Sequence, residues 1–338
     1  MDQNGTTGRR VILCADRFYL SGEASRRLSE VGEVVWSKAG TDELLAREAE
    51  DATVIIAEYA KITSRIIGAA QKLKAVAVWG VGYDHVDIEA ASNRGIYVTN
   101  CRGANAESVA EHVFALVLAL SRKVIQMDAL VRGGRWSVQQ ETGLGASLIP
   151  QDLQGKTIGI IGFGEIGSRV SRIAHGFDMR VLVNDPYIVP ERVRDHDVEQ
   201  VDLESLLRNS DIVTIHTVLT PETTGLIGGR QLATMKPTAI LINASRGPVI
   251  NQGDLAEALE KRRIAYAGLD VFAREPIDPD DPLLELENVV LSPHIAGGSA
   301  EALNATSMAV VMEVSRVLRG EVPRNLVNRD QLEKLGFI

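Results

Sequence analysis

Cysteine, long apolar runs and clusters of like charge are all scarce in this sequence. Its two cysteines, Cys14 and Cys101, cannot build a disulfide framework and lack the close spacing of a metal-binding pair. The longest apolar run, residues 113–120, is far shorter than the ~18 residues of a membrane span. No apolar stretch follows the polar N-terminus as in a signal peptide. We therefore expect reduced thiols, no metal site, no membrane association and a cytoplasmic location.

Charge is spread evenly along the chain. There are 36 basic and 45 acidic residues, which gives a net charge of -9, and no run of five or six like charges occurs. Because nucleic acids and anionic membranes are bound by clustered basic residues, neither partner is expected. A hydrophobic content of 45% with 30 glycines is typical of soluble globular chains rather than of disordered, collagenous or coiled-coil ones. A length of 338 residues predicts about two domains.

Short apolar runs that are typical of buried strands alternate with amphipathic, helix-like stretches along the whole chain. In the N-terminal part the apolar runs lie at residues 11–13, 34–36, 54–56, 75–78 and 96–98. In the C-terminal part they lie at residues 158–161, 181–183, 212–215, 239–242, 267–271 and 289–291. Strands that alternate with helices in this way predict the α/β class, with doubly wound parallel sheets.

Two longer helical segments, residues 104–122 and 299–319, are predicted to cross between the domains. In that arrangement the first domain is discontinuous and comprises residues 1–103 and 297–338, whereas residues 104–296 form the second. The first long helix carries an apolar face that one small sheet is not expected to bury alone, so we predict a homodimer. This face consists of Val109, Val113, Leu116, Val117 and Leu120.

A glycine motif stands between the first strand and the first helix of the second domain. Gly162, Gly164 and Gly167 fit the pattern G-x-G-x-x-G. The first glycine permits a tight turn, the second lets a pyrophosphate approach the backbone, and the third allows close helix packing. We predict a dinucleotide site at these glycines and at Glu165 and Ile166, which lie between them.

Asp185 follows 18 residues after Gly167, at the end of the next predicted strand. Rossmann domains place a ribose-binding acid there, which accepts hydrogen bonds from a 2′-hydroxyl and repels a 2′-phosphate. The predicted cofactor is therefore NAD rather than NADP. The alternative is that Asp185 caps a turn before Pro186. With this motif, the second domain is interpreted as a Rossmann NAD-binding domain, inserted in a smaller flavodoxin-like domain that binds substrate.

Residues suited to acid–base chemistry follow the last predicted strands. Arg246, Asp270, Glu275 and His294 fall where open α/β sheets bind ligands, and Asp270 is predicted to contact the cofactor. An arginine fork binds a carboxylate in two places, a histidine donates protons near neutral pH, and a glutamate beside it favours the imidazolium. Seen singly, each is more often a solvated surface residue. Together with the glycine motif they predict an active site.

The sequence resembles the D-isomer-specific 2-hydroxyacid dehydrogenase family over nearly its whole length. The motifs that carry the resemblance are K-I-T at 61–63, G-V-G-Y-D-H-V-D at 80–87, S-V-A-E at 108–111, G-F-G-E-I-G at 162–167 and P-H at 293–294. The resemblance implies that Arg246, Glu275 and His294 are catalytic. It also implies an NAD-dependent interconversion of a 2-oxo acid and a D-2-hydroxy acid, and a homodimer.

Further residues are predicted to bind substrate or cofactor. The N–H groups of Val81 and Gly82 would bind the substrate carboxylate together with Arg246. Ser108, in the first turn of the long helix, is expected to touch a cofactor phosphate, unless it is a plain helix residue. His216 begins a loop that resembles the family's cofactor loop H-x-P-L-T-x-E-T, with Val218 where proline is usual.

Within the family, the chain resembles the branch of 3-phosphoglycerate dehydrogenase and glyoxylate-hydroxypyruvate reductase. Ala57 stands where phosphate-binding members carry arginine, and Ser137 and Val138 supply no basic side chain either. Lys61 and Arg135 remain as candidate cations. Because a dianionic phosphate needs charge partners, we expect a small unphosphorylated acid such as glyoxylate or hydroxypyruvate, with D-3-phosphoglycerate dehydrogenase as the alternative.

Other functions are compatible with the same resemblance. An NAD-sensing interaction protein that resembles C-terminal binding protein would keep the three catalytic residues and bind a peptide instead of an acid. A formate or phosphite oxidoreductase would share the fold. Turnover of a 2-oxo acid would argue against the first, and failure of formate to reduce NAD would exclude formate oxidation.

Overall fold

Two parallel sheets, each flanked by helices, organise the chain into two units. The computed structural model describes residues 10–136 and 149–338. Unit 1 contains the described residues up to Asn105 together with Gly298–Ile338, and unit 2 contains those of Ala106–Gly297. The chain therefore leaves unit 1 once and returns to it near its end. The predicted α/β class with two parallel sheets is confirmed.

The strands are short, as is usual in such sheets. In chain order they are β1 (Val11–Cys14), β2 (Glu33–Trp36), β3 (Ala52–Ala57), β4 (Ala75–Val78), β5 (Tyr97–Thr99), β6 (Thr157–Ile161), β7 (Arg180–Asn184), β8 (Glu199–Gln200), β9 (Ile212–Ile215), β10 (Ile240–Asn243), β11 (Tyr266–Leu269) and β12 (Val289–Leu291).

The helices vary more in length than the strands. In chain order they are α1 (Gly22–Val31), α2 (Asp42–Glu48), α3 (Ser64–Ala69), α4 (Ile88–Ser92), α5 (Ala106–Ser121), α6 (Val124–Arg132), α7 (Glu165–Gly176), α8 (Pro190–Asp195), α9 (Leu203–Asn209), α10 (Gly229–Thr234), α11 (Gln252–Glu260), α12 (Ala300–Leu318) and α13 (Arg329–Lys334). Turns of 3₁₀ helix lie at Gly247–Val249 and Pro282–Glu285.

The sheet of unit 1 has the order β2-β1-β3-β4-β5, and its strand pairs are parallel. Every residue of the central strand β3 is buried, as expected where helices cover both faces of a sheet. The C-terminal helix α12 packs against β4 and α1, which ties the end of the chain into this unit. Cys14 and Cys101 lie in the same core, and burial raises the pKa of each thiol to about 12. Both thiols are therefore unreactive.

The sheet of unit 2 has the order β12-β11-β10-β9-β6-β7-β8 and is also parallel. Strand β6 pairs with β7 on one side and with β9 on the other, so the direction of the strand order reverses there. In open α/β sheets the carboxyl ends at such a reversal form the ligand site. The glycine motif follows β6 and therefore lies at this point.

The first long helix differs from its prediction. It spans Ala106–Ser121 and is followed by a separate helix, because Lys123 adopts a left-handed backbone with φ of 59° and ends the run. Its apolar face is buried inside unit 2, where α5 packs against α7, β10, β11 and β12. Val109, Val113, Leu116, Val117 and Leu120 are each at most 4% exposed. The expectation that one unit could not bury them was wrong, and the homodimer stays a prediction without that argument.

The remaining differences concern short elements. The sequence did not predict α6, α8, α13 or β8, of which β8 has two residues and α8 and α13 have six each. These three segments are too short to show a period, whereas α6, with nine residues, was missed despite its length. Strand β11 ends at Leu269, so Asp270 lies just beyond it. In the part of the chain that the structure describes, no helix is long and apolar enough to cross a membrane.

Candidate active site

The glycine turn after β6 leaves room for a ligand at one glycine. Gly162 has φ of 87°, and a Cβ on it would lie 2.8 Å from the backbone of His216. A Cβ on Gly167 would overlap the carbonyl oxygen of Gly162. By contrast, nothing lies within 4 Å of the Cβ position of Gly164, which caps the N-terminus of α7 without a side-chain hydrogen bond. Exposed N–H groups beside this open space fit the pyrophosphate of a dinucleotide.

Charged side chains surround the turn. The carboxylate of Glu165 forms an ion pair with Arg169, with 2.9 Å between Oε2 and Nη1. The guanidinium of Arg192 donates to the carbonyl of Gly164 at 2.9 Å. Ile166 is partly buried and packs against the core. Of these two predicted site residues, Glu165 therefore lies in a charged network and Ile166 in the apolar support of the turn.

Asp185 lies beside the glycine turn, directly after β7. Its Oδ2 accepts a hydrogen bond from the N–H of Phe163 at 2.8 Å, which joins the acid to the turn. Its Oδ1 accepts from the N–H of Tyr187 at 2.9 Å, which is the local turn contact of the alternative interpretation. Both contacts are present, so Asp185 shapes the local turn and also joins the glycine turn, and its contact with a ribose stays a prediction.

His216 is a neutral side chain next to the same turn. Its Nε2 pairs with the hydroxyl of Thr214 at 2.8 Å, and its buried Nδ1 has no hydrogen-bond partner among the described residues. Burial lowers the pKa of His216 to about 3, so the ring carries no charge at neutral pH. Val218 lies in the loop that follows, where Thr223 Oγ1 donates to its carbonyl at 2.7 Å.

Arg246 is held by a turn that Asn243 organises. The buried amide of Asn243 donates to the carbonyl of Arg246 at 3.0 Å and accepts from the N–H of Ser245 at 3.1 Å. A Cβ on the next residue, Gly247, would overlap the carbonyl of Phe272. This close packing brings the loop of Arg246 against the loop that carries Glu275.

His294 and Glu275 form a hydrogen-bonded pair, with 2.7 Å between Nδ1 and Oε2. About a third of each side chain is exposed, 33% for the histidine and 36% for the glutamate. Burial raises the pKa of Glu275, but hydrogen bonds from His294 and the N–H of Phe272, with the charges of His294 and Arg246, lower it overall. The glutamate is therefore ionised, and its Oε2 accepts the hydrogen bond that keeps a proton on Nδ1 of His294.

Asp270 lies behind the loop of His294 rather than on its surface. The side chain is 1% exposed, and its oxygens accept hydrogen bonds from residues of that loop. Ser108 lies on α5 at the same loop, where its hydroxyl donates to the carbonyl of Ala296 at 2.9 Å. A contact of Asp270 or Ser108 with the cofactor stays a prediction.

The substrate-binding backbone predicted at Val81 and Gly82 belongs to unit 1. The two residues follow β4, and the preceding Gly80 has φ of 143°. The carbonyl of Val81 accepts a hydrogen bond from the amide of Asn100 at 2.7 Å. All the other predicted site residues lie in unit 2.

Sequence reasoning gave no role to two residues that support this site. Asn243 and Ser292 hold the loops of Arg246 and Asp270 from positions at or just after strand ends, and that location was the available signal. His112 contacts Ser292 from α5, and it follows Ser108 by four residues, which places both on one helix face. From the sequence, His112 was expected to be a helix residue or one that supports the site without touching the substrate.

Comparisons with known proteins agree on one family. The family model for the NAD binding domain of D-isomer specific 2-hydroxyacid dehydrogenases matches residues 114–296. A glyoxylate reductase of Korarchaeum cryptofilum is 46% identical over 269 residues, 80% of this chain and 80% of the relative. A D-3-phosphoglycerate dehydrogenase of Archaeoglobus fulgidus is 38% identical over 320 residues, which cover 94% of this chain but 59% of the relative.

A solved structure with a bound nicotinamide cofactor is also similar. It is an NADPH-dependent glyoxylate/hydroxypyruvate reductase of Sinorhizobium meliloti in complex with NADP and malonate. The TM-score is 0.83 at 28% identity, and the match covers 96% of this chain and 98% of the other.

Proposed function

Because this chain belongs to the D-isomer specific 2-hydroxyacid dehydrogenase family, we propose that it reduces a small unphosphorylated 2-oxo acid to the D-2-hydroxy acid with NADH. Acids of the size of glyoxylate and hydroxypyruvate are the proposed substrates. The observation that carries the proposal is the pair of His294 and Glu275, joined at 2.7 Å in the unit that contains the glycine turn.

His294 is the proposed proton donor. Its Nδ1 is committed to Glu275, so Nε2 is the ring nitrogen assigned to the substrate oxygen. The ionised glutamate accepts the hydrogen bond from Nδ1 and so keeps the ring oriented through the transfer. A bound nicotinamide supplies the hydride to the carbonyl carbon. In the reverse direction the neutral ring accepts the hydroxyl proton.

Arg246 is the proposed anchor of the substrate carboxylate. Its planar guanidinium offers parallel donors that a lysine lacks, and its loop is fixed by Asn243 and packed against the loop of Glu275. We further propose that the N–H groups of Val81 and Gly82 bind the same carboxylate. These assignments are tested separately from the proton donor, because they predict a change in the KM of the acid.

NAD is the proposed cofactor in preference to NADP. Gly162, Gly164 and Gly167 are proposed to receive the pyrophosphate, with His216 and Ser108 beside it. Support for NAD comes from Asp185, whose carboxylate is attached to the turn at Phe163 and would repel a 2′-phosphate. A kcat/KM that is higher with NADPH than with NADH would contradict this assignment.

The lack of a basic side chain at position 57 supports an unphosphorylated substrate. Ala57 ends β3 and is fully buried, so no charge is available at that position. Lys61 and Arg135 are exposed, and Ser137 and Val138 lie outside the described residues. D-3-phosphoglycerate dehydrogenase is kept as a second candidate, because the relative with that name aligns with 94% of this chain.

Oxidation of NADH in the presence of a panel of 2-oxo acids tests the proposal. The panel comprises glyoxylate, hydroxypyruvate, pyruvate, 2-oxoglutarate and 3-phosphohydroxypyruvate, with formate and NAD as a separate assay. We expect the highest kcat/KM with glyoxylate or hydroxypyruvate. A preference for the phosphorylated acid would support the second candidate. No turnover, with NADH still bound, would overturn the proposal in favour of an NAD-sensing binding protein.

A His294→Ala variant tests the proton donor. We expect kcat to fall by about 100-fold, because general acid catalysis contributes roughly 100-fold or more, whereas the Kd of NADH should stay within about twofold. His175→Ala is the matched control, since His175 lies near the end of α7 and contacts the carbonyl of His196 at 3.0 Å. An unchanged kcat in His294→Ala would remove His294 from the mechanism.

A further inference from the structure

The loop that carries His294 is attached to a single buried acid. Three successive backbone N–H groups, of His294, Ile295 and Ala296, donate to Asp270 at 2.8 to 3.0 Å. The first donates to the backbone carbonyl of Asp270, and the other two donate to its carboxylate. With a side chain that is 1% exposed, Asp270 acts as an internal support of the loop.

The loop needs such support because His294 has an unfavourable backbone. Its φ of 54° lies in the left-handed region, which favours glycine. A residue held in that region persists only where surrounding contacts fix it, and such positions cluster at functional sites. The orientation of the proposed proton donor therefore depends on the contacts of Asp270.

His112 completes the shell around that acid. The hydroxyl of Ser292 donates to Asp270 Oδ1 at 2.6 Å, which uses its one hydrogen. The contact of 2.9 Å between Ser292 Oγ and His112 Nε2 must then run in the opposite direction, with the ring nitrogen as donor. The same nitrogen lies 3.6 Å from Asp270 Oδ1. His112 thus supplies the hydrogen that fixes Ser292 and adds its dipole beside the carboxylate.

Helix α5 contacts the loop at both ends through one face. Ser108 donates to the carbonyl of Ala296 at 2.9 Å, and His112, one helical turn later, reaches Ser292. His294 lies between these two attachment points. The helix itself is fixed, because Leu116, a further turn on, packs against Gly268 in β11.

We propose that His112 is a positioning residue for His294, acting through Ser292 and Asp270. The proposal rests on the proposed function, in which His294 gives a proton to the substrate. His112 does not touch the reacting atoms. His112 holds the hydroxyl of Ser292, and this hydroxyl in turn holds the carboxylate of Asp270. The loop is thereby kept in the conformation in which the His294 ring can reach the substrate oxygen.

The test compares two substitutions of His112. In His112→Leu the donor is lost, whereas in His112→Gln the amide Nε2 replaces the ring Nε2 as donor to Ser292. We expect His112→Leu to lower kcat about tenfold or more, since small misplacements of a catalytic group cost up to about 100-fold. His112→Gln should stay within about threefold of the wild type. The Kd of NADH should change by less than about twofold in both.

His175→Leu is the matched control, because it removes a hydrogen bond of the same kind elsewhere in unit 2. It should leave kcat unchanged and lower the Tm about as much as His112→Leu does. Ser292→Ala removes the bridging hydroxyl with little change of volume and should lower kcat as His112→Leu does. That variant keeps the test decisive if His112→Leu does not fold.

A proton resonance provides a readout that does not depend on turnover. The Nδ1 proton that His294 shares with Glu275 should give a low-field signal, assigned by its loss in His294→Ala. We expect this signal to shift or broaden in His112→Leu and to persist in His112→Gln and His175→Leu. Turnover of no 2-oxo acid by the wild type would overturn the proposed function, and this signal would still test the positioning.

Three results would overturn the positioning role. One is a wild-type kcat and an unchanged resonance in His112→Leu or in Ser292→Ala. Another is equal impairment of the Leu and Gln variants, because the donor would then be irrelevant. The third is a loss of NADH affinity as large as the loss of kcat, which would place the effect at the cofactor site.

Discussion

The first turn between a strand and a helix differs sharply between the two units, although both belong to parallel sheets. In unit 1, α1 is capped by its own Ser21, whose hydroxyl accepts from the N–H of Ala24 at 3.2 Å. In unit 2, α7 begins at Gly164, which has no side chain to cap the helix and has open space beside it. One helix terminus has a side-chain cap, and the other, which has none, is the proposed ligand site.

The carboxylates near these two turns show the same contrast. Asp16, after β1, accepts hydrogen bonds from the N–H groups of Glu58, Tyr59 and Ala60 at 2.6 to 3.0 Å, so it closes the carboxyl edge of its sheet with a protein group. The carboxylate of Asp185, after β7, accepts from two N–H groups of the described residues, those of Phe163 and Tyr187. Two sheets of similar architecture therefore differ at their carboxyl edges in a few turn residues, and these residues carry the proposed difference in function.

The largest effect is expected where the two helix termini are made alike. A Gly164→Ser substitution would give α7 the kind of cap that α1 has, and its side chain would occupy the open space. We expect NADH to bind at least about 30-fold more weakly, since a hydroxymethyl group would displace the phosphate, while the Tm without cofactor stays equal or rises, because serine caps helices slightly better than glycine. Fluorescence titration with NADH and thermal unfolding measure the two quantities.

Gly176→Ser is the control for that substitution. Gly176 ends the same helix and also has nothing within 4 Å of its Cβ position. The substitution therefore adds the same atoms as Gly164→Ser, but away from the glycine turn. Equal NADH affinity in Gly164→Ser and the wild type would show that the space at Gly164 is not the phosphate site.

Asp16→Ala should damage unit 1 without changing cofactor binding. Three N–H groups would lose a charged acceptor, which costs about 2 kcal/mol or more of unfolding free energy. We expect a lower midpoint in urea and an unchanged Kd for NADH. Asp51→Ala is the control, since Asp51 is 69% exposed and forms a surface ion pair with Lys72. A weaker affinity for NADH in Asp16→Ala would contradict the contrast in which Asp16 only supports its sheet and Asp185 is the acid at the cofactor.

Asp185→Ala, unlike Asp16→Ala, should change the choice of cofactor. Loss of the carboxylate would remove the repulsion of a 2′-phosphate, so we expect the preference for NADH over NADPH to fall about tenfold, equivalent to about 1.4 kcal/mol. Steady-state kcat/KM with each cofactor measures the change. Asp195→Ala, an exposed position at the end of α8, is the control. An unaltered preference would indicate that another group reads the ribose.

The sequence allowed the sheets and the catalytic loops to be predicted, because their signals are local. The runs at 75–78, 212–215 and 289–291 became β4, β9 and β12 with the same limits, since short apolar runs between turn residues mark buried parallel strands. The glycine turn was equally readable, because each of its glycines meets a steric demand within a few residues.

The contacts between α5 and the loop of His294 could not be predicted from local sequence. His112 and Ser292 are 180 residues apart, and Ser108 and Ala296 are 188 apart, so no local pattern links them. The break between α5 and α6 was also missed, because it depends on the left-handed backbone of Lys123, a residue that favours helices. Tertiary packing decided these features, and the apolar face of α5 was misjudged for the same reason.

The smallest expected effect concerns the buried charged residues, which also differ between the two units. In unit 1, Glu313 is 4% exposed and accepts from the N–H of Arg324 at 2.8 Å. In unit 2, Lys123 is 2% exposed, and its ammonium lies 3.2 Å from the centroid of the Tyr266 ring. Burial, and then the charge of Arg262, lowers the pKa of Lys123 from 10.5 to about 8.

Lys123→Met should therefore stabilise the protein at neutral pH. Between pH 8 and 10.5 the unfolded chain binds the lysine proton and the folded chain does not, so the unfolding free energy of the wild type rises with pH across that window. Below pH 8 the buried charge of Lys123 lowers the unfolding free energy of the wild type by at most about 3 kcal/mol. The variant is free of this cost but loses the cation–π contact, which offsets about 1–2 kcal/mol of the stabilisation. We expect a net gain of about 1 kcal/mol at pH 7 that disappears by about pH 10.5. Urea unfolding at several pH values measures it, with exposed Lys261→Met as the control, and a gain independent of pH would contradict the assignment to charge.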